Sequence, residues 1–242
     1  HSNESTTVIL NGLKVMRPRL WDLSNPHLYL ATVTLADHRS KSVHTVPVSF
    51  GIRYLNFSVD QGFQLNGKTV QLRGGCVHHD NGPLGSRTIA RAEERRVEKL
   101  KTLGYSAIRT SHNPVSPAFL DACDRLGMLV MEEAFDCWED GKNDDDYHRH
   151  FDVWWQRDLT AMVRRDINHP SIVMWSIGNE IYDRQSTKGV ALAKALADTV
   201  RSIDNQSGRA ITSAVPLVGD KDEPFFASLD VGGYNYANAR MI

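Results

Sequence analysis

From residue 71 onwards, short apolar runs alternate with longer amphipathic segments, and this alternation constrains the fold more than any other feature of the sequence. Strands that are apolar on both faces and are separated by helices are typical of a parallel sheet covered by helices. The apolar runs predict about six strands, at 71–76, 107–109, 129–134, 172–177, 210–212 and 230–233. Helices are predicted at 91–103, between Ser116 and Gly127, at 148–167 and at 188–203. The sequence therefore predicts an α/β fold whose sheet is either open and doubly wound or closed into a barrel.

Polar, aromatic and carboxylate residues follow nearly every predicted strand, and they favour the barrel. Parallel strands place their carboxyl ends at one edge, and a (β/α)₈ barrel builds its site from the loops at that edge. No glycine-rich phosphate-binding motif follows the first strand, which disfavours an open nucleotide-binding sheet. We therefore predict a TIM barrel, truncated after about six strands. The residues that follow the strands are 78–80, 110–113, 136–138, 179–180 and 234–236.

Local signals predict where individual elements turn, begin and end. Asn66-Gly67 suits the positive φ angles of a tight turn, and it predicts a hairpin over 63–70. Ser116 followed by Pro117 is typical of the N-terminus of a helix, and Gly127 is typical of its end.

The first 58 residues have a different pattern, with β-rich runs at 8–10, 28–35 and 43–57 that alternate apolar and polar residues. Period-two alternation broken by turn residues predicts an antiparallel β-sandwich. Three or four strands are too few to close two sheets. We therefore expect residues 1–58 to be the end of a sandwich domain and residues 59–242 to be the first part of a barrel.

The length of the chain fits this division, because a whole (β/α)₈ barrel takes about 250 residues and the chain has 242 in all. We expect the chain to be a piece of a longer protein, cut at both ends, with His1 at an artificial or processed start. An open six-strand sheet exposes two edges. A second copy or the remainder of the parent chain is expected to cover them.

Composition excludes several classes of partner. The formal net charge of −1 gives no electrostatic reason to expect nucleic acid, and no apolar run reaches the ~18 residues of a membrane span. The three cysteines, Cys76, Cys123 and Cys137, lack a metal-binding or redox spacing and are expected to be buried thiols. A compartment is not predicted, because no leader sequence follows His1.

Glu180 is the sharpest chemical feature, since it ends the apolar run Trp175-Ser176-Ile177-Gly178-Asn179-Glu180. A carboxyl group at the mouth of an apolar barrel is partly desolvated, which favours its protonated form. That environment prepares Glu180 to act as a general acid, while the Asn179 amide can bind a substrate hydroxyl. The alternative is that Glu180 caps the next helix.

Several motifs in the same order resemble family 2 of the glycoside hydrolases, the retaining β-galactosidases, β-glucuronidases and their relatives. The resemblance is strongest to the β-galactosidase branch, and it implies an immunoglobulin-like domain before the barrel. It runs from about residue 18 to residue 236, and its motifs lie at 19–21, 25–29, 109–114, 121–134, 168–171 and 175–180.

The resemblance implies a role for each matching residue. Glu180 matches the acid/base and Asn179 the residue that holds the sugar 2-hydroxyl. Two histidines match sugar ligands, a tyrosine matches one that assists the nucleophile, and a tryptophan offers a sugar-stacking platform. The histidines are His112 and His78 (or His79), the tyrosine is Tyr236 (or Tyr234), and the tryptophan is Trp138. For Trp138 a position in the core or in a loop is an equal alternative.

The sequence departs from the family pattern in two respects. Magnesium-using β-galactosidases have a Glu-x-His pair after the third strand, where this chain has Cys137-Trp138-Glu139, so we predict neither a metal nor another cofactor. The family's nucleophilic Glu ends the seventh strand, which lies beyond Ile242. Other carboxylates are expected to have other roles. Glu132 and Glu133 bind neighbours inside the barrel mouth, and Glu223 and the run 144–146 lie in exposed loops.

These observations predict a retaining β-glycosidase, a β-galactosidase in the first place, that acts on terminal β-linked sugars. One alternative is a β-glucuronidase, and another is a carbohydrate-binding or structural module without catalysis. A barrel glycosidase that cleaves internal β-linkages is a third, against which the sandwich segment argues. Because the nucleophile lies outside the 242 residues, we expect this chain by itself to be inactive.

Overall fold

The computed structural model describes residues 7–10, 12–39, 41–216 and 222–237. Six parallel strands form one curved sheet, in the order β6-β7-β8-β9-β10-β11. The strands before it are β1 Tyr29–Ala36, β2 Ser42–Phe50, β3 Leu55–Ser58, β4 Gly62–Leu65 and β5 Lys68–Thr69. Those of the sheet are β6 Gly74–His78, β7 Ala107–Ser111, β8 Leu129–Glu133, β9 Ile172–Asn179, β10 Ala210–Val215 and β11 Val231–Tyr234. The helices are α1 Ala90–Thr102, α2 Pro117–Leu126, α3 His148–Asp166, α4 Thr187–Ile203 and α5 Glu223–Phe226.

The predicted α/β fold is confirmed as the first six strands of a (β/α)₈ barrel with helices on the outside. Every residue of β9 is buried, as expected for a strand covered on both faces. The main core lies between the sheet and its helices, where strand residues such as Ile108 and Ile172 pack against Phe119 and Leu196. The apolar stripes of α2 and α4 therefore face the sheet.

The local signals act as predicted. Ser116 caps α2, because its Oγ accepts a hydrogen bond from the Phe119 N–H at 3.2 Å. Gly127 ends that helix with a φ of +69°. Asn66 and Gly67 both have positive φ, at 54° and 78°, in the hairpin that joins β4 to β5.

The segment before the barrel is simpler than predicted. Residues 7–10 form no strand, which contradicts the prediction of a β-rich run at 8–10. β1 and β2 pair only with each other in the part of the chain that the structure describes. β3 pairs with β4, so the predicted boundary at residue 58 falls within a three-stranded antiparallel sheet.

The three-stranded sheet closes the amino-terminal end of the barrel. Phe63 and Leu65 from this sheet pack against the strand residues Leu129, Val173 and Met174. The carboxyl ends of the parallel strands are therefore the end at which a site can form.

The cysteines differ in their surroundings. Cys123 and Cys137 are buried, as predicted, but Cys76 is exposed because β6 is an edge strand. Burial raises the pKa of Cys123, and burial together with Asp146 raises the pKa of Cys137 to about 12. Within the described ranges, no helix is long and apolar enough to cross a bilayer.

Candidate active site

Side chains from five strand ends meet at the open end of the barrel, and Arg109 on β7 connects three of the others. Its Nε donates to Glu133 Oε2 at 2.9 Å, and its two terminal nitrogens donate to Asn179 Oδ1 at 2.8 Å and to Asn235 Oδ1 at 3.0 Å. Asn179 ends β9, and Asn235 follows β11. One guanidinium thus fixes the relative positions of three strand ends.

Glu133 is a fully buried carboxylate whose oxygens are all engaged. Besides Arg109, Ser176 Oγ donates to Oε2 at 2.6 Å, and His112 Nδ1 lies 2.5 Å from Oε1. The acceptor at this distance assigns the proton of His112 to Nδ1. Glu133 therefore orients Arg109 and His112, in agreement with the prediction that it binds neighbours in the barrel mouth.

Glu180 lies directly after β9, half-buried at the mouth of the barrel, with a φ of +48°. Its main-chain N–H donates to Ala214 O at 2.7 Å. Asn235 Nδ2 donates to Glu180 Oε1 at 2.7 Å and to Asn179 Oδ1 at 3.0 Å. The helix-cap alternative fails, because Ser186 caps α4 through the Gly189 N–H.

Tyr236 is the tyrosine that reaches Glu180. The Glu180 carboxylate accepts its hydrogen bond and places a negative charge beside it, and both effects raise the pKa of Tyr236. Tyr234 instead packs its ring on Phe226, with the centroids 5.6 Å apart. The structure therefore brings Tyr236, but not Tyr234, to the acid/base candidate.

The two predicted histidines lie side by side. The rings of His78 and His112 meet edge to face, with their centroids 5.3 Å apart. His79 is held in the loop that follows β6, where its Nε2 lies 3.1 Å from Ser86 O. The structure therefore places His78, rather than His79, beside His112.

Asp136 and Lys142 come from the loop after β8 and also contact Asn179. Asp136 Oδ1 accepts hydrogen bonds from Asn179 Nδ2 at 2.9 Å and from Lys142 Nζ at 2.7 Å. Lys142 Nζ also donates to Asn179 O at 2.8 Å. Burial opposes the ionisation of Asp136, but these bonds and the charge of Lys142 outweigh it and hold the pKa of Asp136 below its ordinary value.

Trp138 requires a correction. It is completely buried, packs against Phe151 and Phe225, and donates from Nε1 to Ile177 O at 2.9 Å. Stacking on a sugar needs an open ring face, and Trp138 has none. The alternative interpretation, a core tryptophan, fits its position.

The remaining carboxylates lie elsewhere. Contrary to the prediction, Glu132 does not bind neighbours in the mouth, because alternation along β8 turns it toward α3, on the opposite face from Glu133. Glu223 is exposed at the start of α5, as predicted. Of the run 144–146, the first two residues are exposed, but Asp146 orders its loop by accepting bonds from the main-chain N–H groups of Lys142 and Asn143.

The residues at the place of the family's magnesium ligands do not fit a metal beside Glu180. The Cys137 thiol donates to Asp146, Trp138 is in the core, and Glu139 pairs with Lys188. In the described part of the chain, Asp121, Asp124 and His169 form a potential metal-ligand group. There, Asp124 already accepts bonds from His169 Nδ1 and the Ser171 N–H.

Sequence reasoning assigned no individual role to Arg109, Asp136, Lys142 and Asn235, although these residues connect the site. Asn235 and Asp136 stand in the polar clusters that follow the strands, and this position was the available signal. Their partners lie up to 126 positions away in the sequence, so the pattern could not show the contacts.

Comparison with known proteins gives a consistent picture. The family model "Glycosyl hydrolases family 2, TIM barrel domain" matches residues 58–222, and the model "Glycosyl hydrolases family 2" matches residues 1–53. The beta-galactosidase BoGH2A of Bacteroides ovatus is 38% identical in an alignment of 262 positions that covers 96% of this chain and 31% of that protein. A putative beta-glucuronidase of Formosa agariphila is 39% identical over 187 residues, 77% of this chain and 18% of its own.

Solved structures of glycosyl hydrolases resemble the chain closely. A family 2 member from Bacteroides cellulosilyticus has a TM-score of 0.88 and 48% identity, over 92% of this chain and 28% of its own. The beta-glucuronidase of Parabacteroides merdae has a TM-score of 0.76 and 27% identity, over 92% of this chain and 27% of its own. The chain thus spans about a third or less of the length of these relatives.

Proposed function

Because the chain belongs to family 2 of the glycosyl hydrolases, we propose that the protein that carries it is a retaining β-glycosidase with Glu180 as the acid/base. The observation that supports this role is the setting of Glu180. It is half-buried at the barrel mouth, and Asn235 binds one of its oxygens at 2.7 Å. Arg109 and Asn179 both bond to Asn235 and so orient the Asn235–Glu180 pair.

In the proposed reaction, Glu180 donates its proton to the glycosidic oxygen as the bond to the leaving group breaks. A second carboxylate forms the glycosyl-enzyme intermediate, and Glu180 then removes a proton from the water that hydrolyses it. Glu133 is unsuited to the nucleophilic role, because Arg109, Ser176 and His112 occupy its oxygens. The family resemblance assigns that role to a Glu that ends the seventh strand.

The sugar is bound, in this proposal, by groups that the network leaves available. Asn179 uses one N–H on Asp136, and its second N–H, which has no acceptor among the described residues, donates to the sugar 2-hydroxyl. His112 uses Nδ1 on Glu133, which leaves Nε2 as an acceptor for another hydroxyl. His78 lies beside His112 and is proposed to bind the same ring.

We favour a β-galactoside as substrate. The supporting comparison is that BoGH2A, a beta-galactosidase, aligns with 96% of the chain. The beta-glucuronidases among the relatives support a β-glucuronide as the second candidate. A protein that binds sugars without catalysis is the alternative from another class.

The acid role is tested with two substrates of one sugar, in the protein at the full length of its relatives. Glu180→Gln should lower kcat for an alkyl β-galactoside, whose leaving oxygen needs protonation, by about 10²–10⁴. With a dinitrophenyl β-galactoside, whose leaving group departs without a proton, the rate of the first step should fall far less in this variant. Glu223→Gln, an exposed carboxylate on α5, is the matched control.

Equal rates for Glu180→Gln and the wild type with the alkyl substrate would contradict the proposal. Binding of galactose in calorimetry, together with no turnover of galactosides or glucuronides by the wild type, would favour the non-catalytic module.

A further inference from the structure

Asp136 has one carboxylate oxygen that is held and one that is open. Both of its hydrogen bonds, from Lys142 Nζ and Asn179 Nδ2, reach Oδ1. Among the described residues, none donates a hydrogen bond to Oδ2, and the side chain is 40% exposed. A carboxylate offers about four acceptor positions. Oδ2 is therefore an acceptor that is fixed in place and accessible from outside.

Lys142 is the group that fixes Asp136. Its side chain is only 15% exposed, and its ammonium is shared between Asp136 Oδ1 and the main-chain carbonyl of Asn179. The ammonium thus joins the loop after β8 to the end of β9. Hydrogen bonds between charged groups are shorter and stronger than those between neutral groups, so Asp136 is oriented before any ligand arrives.

A cavity of about 390 Å³ lies between the loops after β7 and β8 and the helix α3, next to the residues around Glu180, and Asp136 and His112 line it. Phe135 and Met162 give it an apolar wall, and Phe135 stacks on Tyr147 with the ring centroids 5.1 Å apart. Cavities of small-molecule sites have volumes of about 300–1,000 Å³, and they combine apolar walls with a few fixed polar groups. The hydroxyl groups of a sugar need fixed acceptors, and Asp136 Oδ2 is one at the edge of this cavity.

The charges around the cavity favour a neutral ligand. Three carboxylates line it, Asp136, Asp146 and Asp158, against one arginine, Arg165, whose guanidinium is bound to Val115 O and Asp166. A carboxylated sugar would bring another negative charge close to Asp136, and juxtaposed like charges oppose binding.

We propose that Asp136 is a further substrate-binding residue, which accepts a hydrogen bond from a hydroxyl group of a neutral sugar through Oδ2 and disfavours uronic sugars. Lys142 is its positioning residue. The inference rests on the proposed function and deepens it, because it assigns the substrate to galactosides rather than galacturonides or glucuronides.

The test measures binding in the Glu180→Gln background, which blocks turnover, in the protein at the full length of its relatives. Methyl β-galactoside and methyl β-galacturonide differ only at C6, and calorimetry gives the Kd of each. Asp136→Ala should raise the Kd of the galactoside at least tenfold, because the variant loses a hydrogen bond to a charged acceptor. It should weaken the galacturonide less, so that the ratio of the two Kd values narrows at least fivefold.

Asp136→Asn is a second variant of unchanged size, and it should narrow the ratio in the same direction because it removes the charge. Asp145→Asn is the control, because Asp145 is exposed in the same loop and, of the residues whose positions are described, pairs only with Arg149. Its two Kd values should stay within twofold of the parent.

Lys142 is tested by a double-mutant cycle. Lys142→Met should weaken the galactoside, but in the Asp136→Ala background it should add less than twofold, because groups that act through one contact are not additive. A cycle in which the two effects multiply would remove the positioning role from Lys142.

Equal weakening of both sugars by Asp136→Ala, or a galactoside Kd within twofold of the parent, would overturn the inference. Failure of the proposed function gives a different result, namely a wild type without hydrolysis whose Kd values still respond to Asp136.

Discussion

Glu132 and Glu133 are neighbouring carboxylates in β8 with opposite surroundings. Glu133 has partners at both oxygens, whereas neither oxygen of Glu132 has a hydrogen-bond partner within the described residues. Burial raises the pKa of Glu132 well above its ordinary value, and Asp166 adds to the rise, while Arg165, 3.6 Å away, partly offsets it. The folded protein therefore keeps a proton on Glu132 to higher pH than the unfolded chain does.

The sign of the resulting pH dependence follows from this proton. Between the unfolded pKa of about 4.3 and the raised folded pKa, unfolding releases the proton, so stability falls as pH rises through that window. Glu132→Gln cannot ionise and should be more stable than the wild type at pH 8 by about 1 kcal/mol. The difference should shrink toward pH 4.5, as measured by urea unfolding.

Glu98→Gln is the control for Glu132, because Glu98 lies in an exposed ion pair with Arg91 on α1. Exposed pairs contribute little to stability, so this variant should keep the pH slope of the wild type. An unchanged slope in Glu132→Gln would show that Glu132 is ionised in the folded protein.

At the scale of single residues, the sequence predicted where a side chain lies in the barrel better than it predicted which residues that side chain contacts. The strand-end rule placed Glu180, Asn179 and His112 at one edge, and the structure has them there. The rule could not decide whether Trp138 is a core residue or a sugar-stacking platform, because a tryptophan that follows a strand is found in both settings. Whether Glu132 or Glu133 faces the mouth depended on the register of β8, which the sequence left open.

At the scale of elements, α2 shows how a helix end also docks a distant segment. Gly127 ends the helix with a φ of +69°, and a Cβ built there would lie 2.6 Å from Leu23 O. Lys101 Nζ donates to both Leu23 O and Gly127 O, at 2.9 and 2.5 Å. The glycine is required for its left-handed conformation and for this close approach of two main chains.

Gly104 and Gly127 allow these two requirements to be separated. Gly104 has a φ of +84°, and apart from its chain neighbours a Cβ added there would meet no atom of the described part of the chain within 4 Å, so Gly104→Ala tests the conformation alone. It should lose about 1 kcal/mol of unfolding free energy. Gly127→Ala should lose at least about 1 kcal/mol more, because the main chain at Leu23 must move. Equal losses in urea unfolding would show that the contact with Leu23 adds nothing.

At the scale of the whole molecule, the order of strands and helices was predictable because each apolar run and each helix carries its own periodicity. Arg53 illustrates what was not predictable. It lies between β2 and β3, yet it donates to Pro170 O and Ile172 O at the start of β9, both at 2.5 Å. Contacts across 117 and 119 positions leave no periodic signal, so the docking of the first segment on the barrel became visible only in three dimensions.

Trp21 is the centre of that docking. Its removal should unfold the chain around residues 18–28 and 51–54 more readily than it unfolds the barrel. The indole of Trp21 is fully buried and donates from Nε1 to Asp124 O at 2.8 Å, and the main-chain N–H of Trp21 donates to Ile52 O.

Trp21→Ala leaves a large cavity and should lower the free energy of unfolding by about 3–5 kcal/mol. Leu129, Val173 and Met174 share the buried cluster of Trp21, but the other face of β8 and β9 packs in the main core against the helices. Hydrogen exchange should therefore speed up in residues 18–28 and 51–54 and stay slow in both strands. Trp154→Ala is the control, since Trp154 is 40% exposed on α3 and should leave these rates unchanged. Equal acceleration throughout the barrel in Trp21→Ala would show that the first segment and the barrel unfold as one unit.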